Sequence, residues 1–146
     1  MRTTRPDSIS VWIVRHTVLV WFGIALNALF FVPLLIAPRW MLDLFGIPLD
    51  QLIWARAAAG LLMIISAFYV PAALDLGRYR ANAYIAIVPS RSFGCLFFFF
   101  AVVAFGEPPG FLSISFVDGL IGATTLYCLI RITALERRQK AEGTGI

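Results

Sequence analysis

Charge is scarce in this sequence. Of its 146 residues, 14% are Asp, Glu, Lys or Arg and 60% are apolar. A water-soluble domain of this size needs far more polar material to cover its surface. Lipid must therefore cover much of the chain, and a mean hydropathy of +0.86 agrees. Histidine is almost missing. His16 is the only one, whereas a low-spin haem held in a helical bundle takes two axial ligands. Cysteine is limited to Cys95 and Cys128; each lies in an apolar run, and no C-x-x-C pair exists for disulfide exchange. Met1, Met41 and Met63 form no thioether cluster, and no carboxylate–histidine array could hold a di-metal centre. Phosphate-cradling glycine loops and Ser–His–Asp groupings are also lacking. No catalytic residue, metal or cofactor is expected on these grounds.

The formal charge of +4 and an isoelectric point near 9.6 raise the question of nucleic acid. The distribution answers it: the basic residues sit in short clusters between apolar runs, without a continuous basic face. They read as membrane-flanking charge, and nucleic acid is not an expected partner.

Four apolar stretches are long enough to cross a hydrocarbon core, which takes about 20 helical residues. They cover residues 17–36, 52–74, 82–105 and 112–130. None shows the period-2 alternation of a β-barrel strand. Backbone amides in lipid must pair within their own segment, so each span is expected to be a helix. The expected fold is all-α: one polytopic domain over residues 1–146, with four transmembrane helices in an antiparallel bundle. Run 17–36 is longer than a leader's apolar region, and Leu35-Ile36-Ala37 is no A-x-A site; the run is expected to stay as an anchor.

Punctuation supports these limits. Pro38 and Arg39 close the first span, and Gly106-Glu107-Pro108-Pro109-Gly110 turns the chain between the third and fourth. Residues 38–46 predict a short interfacial helix opened by proline and closed by glycine, with Trp40, Met41, Leu44 and Phe45 on one side. Residues 8–14 either extend the first helix or lie in the interface, and the polar tail 136–146 is expected to fray. Pro71 and Pro89 should kink the second and third helices. Ser66, Tyr69, Ser90 and Ser92 stand near enough to answer the freed carbonyls.

Orientation follows from lysine and arginine. Arg2, Arg5, Arg15, Arg78, Arg80, Arg131, Arg137, Arg138 and Lys140 share one side, and Arg39 stands on the other. The positive-inside rule then puts both termini and loop 75–81 in the cytoplasm. Trp40 and Trp54 suit the outer interface; Trp12, Trp21, Tyr79 and Tyr84 suit the inner one. His16, beside Arg15, reads as a membrane-edge side chain.

Arg56, Arg91 and Asp118 fall within spans, joined by the uncharged Asn27. Charge at depth needs a partner or a watery path. At ~1.5 Å per residue, Arg91 lies ~14 Å from the cytoplasmic edge, Asn27 ~16 Å, Asp118 ~20 Å and Arg56 ~24 Å. Each has a glycine within one turn (Gly94 for Arg91, Gly23 for Asn27, Gly122 for Asp118 and Gly60 for Arg56), so each helix is expected to turn a small, polar stripe inward. Asp118 is expected to pair with Arg56 first and Arg91 second. The cluster is either a structural pair that sets helix order or a ligand site. As a ligand site, Arg56 or Arg91 would polarise a quinone carbonyl, or Asp118 would serve a small-solute transporter.

The order Trp54, Arg56, Gly60, then Tyr69, Ala72, Ala73, Asp75, Arg78, Tyr79, Arg80, then Arg91, Gly94, then Asp118, Gly119 resembles small bacterial membrane proteins of the DoxX-like kind. The resemblance implies a four-helix bundle in a bacterial inner membrane. Some relatives are associated with quinone-linked or thiol-redox complexes. It carries over no catalytic residue, and the lack of paired cysteines weighs against thiol-redox chemistry. The expected function is a non-catalytic accessory or assembly subunit that docks on another membrane protein or complex. A four-helix multidrug exporter would need a carboxylate in its first helix, where this chain has Asn27.

Overall fold

A computed structural model of the protein describes residues 8–143. Arg2, Arg5 and the last three residues of the tail lie outside them. All regular structure among the described residues is helical. Four helical segments are long and apolar enough to cross a membrane: Ile9–Ile36, Leu52–Leu74, Arg80–Phe105 and Phe111–Glu142. They are the segments of a multi-pass membrane protein.

Helix α1 runs over Ile9–Ile36 with Ser8 as its N-cap, so residues 9–14 extend the first helix. Its buried residues are Trp12, His16, Val20, Gly23, Asn27 and Leu34, whose spacing of three, four and seven marks one helix face. Pro33 stands in its last turn, and Pro38 begins α2, Pro38–Asp43. Gly46 ends that excursion in the left-handed region at φ 62°, where a side chain would be strained. The packing face of α2 differs from the expected one. Met41 and Leu42 are buried, while Trp40 and Leu44 face outward. Their neighbours explain this: Met41, Leu42 and Ile47 pack with Leu34, Ala55 and Ala59.

Helix α3, Leu52–Leu74, carries Pro71 in its last turn. Beyond it, the Asp75 Oδ1 accepts the Arg78 amide hydrogen at 3.0 Å, which tightens the loop. The third span has three parts: α4 over Arg80–Ile85, a π-helical turn over Ala86–Arg91 and α5 over Ser92–Phe105. Pro89 supplies the cause. It has no N–H to give the α-helical ladder, and the wider turn absorbs the defect. The Ser92 hydroxyl donates to the Ile87 carbonyl at 3.2 Å across that turn. Gly106, at φ 72°, caps α5.

Helix α6, Phe111–Gly143, has 33 residues, which is ~50 Å of helix against a core of ~30 Å. The expected fraying from residue 136 is therefore corrected through Gly143. Arg80 holds this part of the helix, donating from Nη1 and Nη2 to the two Glu136 oxygens at 2.6 Å each.

Three apolar clusters tie the helices. One gathers Trp12, Ala72, Leu76, Ala83, Ile87, Leu129 and Ile132, and joins the start of α1, the end of α3, α4 and the later part of α6. Another, around Leu34, Met41, Ala55 and Ala59, has Phe111 packed against it. Between them, Val20 meets Tyr69, Ala73 and Ala86. Helix α5 packs chiefly on α6 and has no buried residue. Phe93 is 65% exposed and Phe105 80%. In water such surface would be a large liability; in lipid it is the solvated surface.

Candidate functional site

The polar residues of the spans form two linked sets, centred on Arg91 and on Asn27. Arg91 closes the π turn and is 7% exposed. Its Nη1 is ion-paired with Asp118 Oδ1 on α6. Its Nη2 donates to the Gly23 carbonyl on α1 at 3.3 Å. The guanidinium carbon lies 5.4 Å from the ring centroid of Tyr69 on α3, within cation–π range. The Tyr69 hydroxyl is hydrogen-bonded to Ser90 Oγ, back on the π turn. One arginine of the third span thus touches the other three.

Glycines make this possible. A Cβ on Gly23 would stand 2.9 Å from Arg91 Nη2, and one on Gly122 would stand 3.2 Å from Arg91 Cβ. A Cβ on Gly94 would collide with Asp118 Oδ2. The next contact, between Gly119 and Cys95, is equally close: a Cβ would lie 2.9 Å from Cys95 Sγ. Nearby, the Ser115 hydroxyl donates to the Cys95 carbonyl at 2.7 Å. Small residues bring α5 and α6 together as they do in membrane helix pairs generally.

Asn27 forms the second set. It is buried, and its Nδ2 donates to Ser66 Oγ on α3 at 2.8 Å; Ser66 in turn donates to the Leu62 carbonyl at 2.8 Å. Asn27 follows Gly23 by four residues and Ser66 precedes Tyr69 by three, so this link sits one turn from the Arg91 contacts.

Arg56 does not join either set, and the expected Arg56–Asp118 pair is corrected to Arg91–Asp118. Arg56 is exposed, and its Nε donates to the Leu35 carbonyl at 3.3 Å. The reason is rotational. Arg56 follows Ala55 by one residue and so points about 100° away from the buried face. Gly60, its neighbour one turn on, has open space around it. Depth along the axis does not decide the pairing, because a long arginine side chain spans a difference of one turn but cannot pass through its own helix.

His16 is also corrected. Its side chain does not reach outward but is fully enclosed in the bundle, at 0% exposure, and neither ring nitrogen has a hydrogen-bond partner among the described residues. The signal was present in the spacing: Trp12, His16, Val20, Gly23 and Asn27 fall at intervals of four, four, three and four. Trp12, expected at the interface, is buried too, with Arg15 at 4.7 Å and Arg131 at 5.2 Å from its ring centroid.

Chemically, the Arg91–Asp118 pair is neutral and hydrogen-bonded on several sides. That is the form in which charge is tolerated in an apolar interior. Its partners come from all four spans, so it fixes how the helices rotate about their axes. No family model, no curated protein and no solved structure matches this chain.

Proposed function

We propose that the protein is a non-catalytic accessory or assembly subunit of a bacterial inner membrane. In this reading it is an antiparallel four-helix bundle with both termini cytoplasmic, docked on another membrane protein. The observation that carries this reading is the commitment of Arg91. Its guanidinium is taken up by Asp118, Gly23 and Tyr69, so this buried charge of the bundle serves the fold. What is left for recognition is the outer surface. The face of α5 is the best candidate, since Phe97 and Phe100 are 51% and 53% exposed and carry large apolar area in rigid rings. The lopsided basic charge supports the orientation. The DoxX-like resemblance directs the search for a partner to redox and respiratory complexes.

Purification in mild detergent followed by mass spectrometry tests the proposal. One membrane protein should co-purify in fixed ratio, and Phe97→Ala with Phe100→Ala should release it while the bundle stays folded. A clean monomer counts against the reading. A quinone in the ultraviolet spectrum of the lipid extract would favour a redox role for Arg91 instead.

A further inference from the structure

We draw no further inference here: the strongest candidate, the outward stripe of small residues Ala57, Gly60 and Ala67 on α3 beside the exposed Arg56, carries nothing, because nothing in the structure shows what covers it.

Discussion

Gly94 of α5 faces the carboxylate of Asp118 on α6 with no room for a methyl group between them. The ion pair at the centre of the bundle and the close approach of these two helices are therefore one feature. Asp118 can reach Arg91 because nothing projects from Gly94, and the helices stay close because the pair draws them together.

This contact makes the glycines unequal. Alanine is ordinarily better than glycine in a helix by ~1 kcal/mol. At Gly60, which has open space around it, Gly60→Ala should leave stability unchanged or slightly raised. At Gly94 the added methyl displaces Asp118, and overpacking of this kind costs about 1–3 kcal/mol. Gly23→Ala should behave like Gly94→Ala, since it presses on a guanidinium already held on several sides. Reversible unfolding in mixed micelles measures the series. Equal behaviour of Gly60→Ala and Gly94→Ala would mean that the helices do not meet at Gly94.

Removing one member of the ion pair should be worse than removing both. Asp118→Asn strands a guanidinium that is 7% exposed, and breaking a buried pair in this way costs about 3–5 kcal/mol. Arg91→Met strands the carboxylate instead. The double variant strands no charge, so its loss should be smaller than that of either single variant. The exchange Arg91→Asp with Asp118→Arg should recover only part of the stability, because the Gly23 carbonyl and the Tyr69 ring are aimed at the π turn rather than at α6. Arg56→Gln is the control, with a change within about 0.5 kcal/mol, as is usual for exposed positions. If Asp118→Asn costs no more than this control, Arg91 is not held by the carboxylate.

The helices were legible in the sequence, because apolar length and the demand for internal amide pairing leave few alternatives. Residues 52–74 of the second span agree with α3, and Phe105 closes the third as expected. Rotation about each axis was less legible. Counting depth brought Arg56 and Asp118 to similar levels, yet which way a side chain points depends on the helix phase, and Pro89 alters that phase by opening a π turn just before Arg91. The sequence marks a proline there but does not say whether the helix will kink or widen. The ends are hard to read from sequence for another reason. Polarity alone suggests a frayed tail after residue 136, while the fold gives Glu136 a specific partner, Arg80, 56 residues earlier. Long-range pairs of that kind leave no local trace.

His16 supplies a prediction of opposite sign. It is fully buried, and neither nitrogen is hydrogen-bonded among the described residues; an unmatched buried polar group costs about 1–3 kcal/mol. His16→Leu keeps a comparable volume and removes the unmatched atoms. The variant should be more stable than the parent by about 1 kcal/mol, with an unchanged helical circular dichroism spectrum. A substantial loss of stability would show instead that the imidazole makes a polar contact essential to the fold.

The orientation can be tested separately from partner and ligand. If both termini face the cytoplasm, the loop before Arg80 lies on that side and the Gly106–Gly110 turn lies outside. Single cysteines placed at Gly77 and at Glu107, both outside regular helix, should then react oppositely with a membrane-impermeant maleimide. Glu107→Cys should label in intact cells, and Gly77→Cys only after permeabilisation. The native thiols lie within the spans, and Cys128 is buried, so parent protein should give little background. The positive-inside rule ties this pattern to charge. Moving arginines from the 78–80 loop to the 107–110 turn should shift labelling toward the opposite pattern, whereas neutralising Arg39 should reinforce the original one. Labelling of both positions in intact cells would show a mixed orientation, and the charge argument for a single topology would fail.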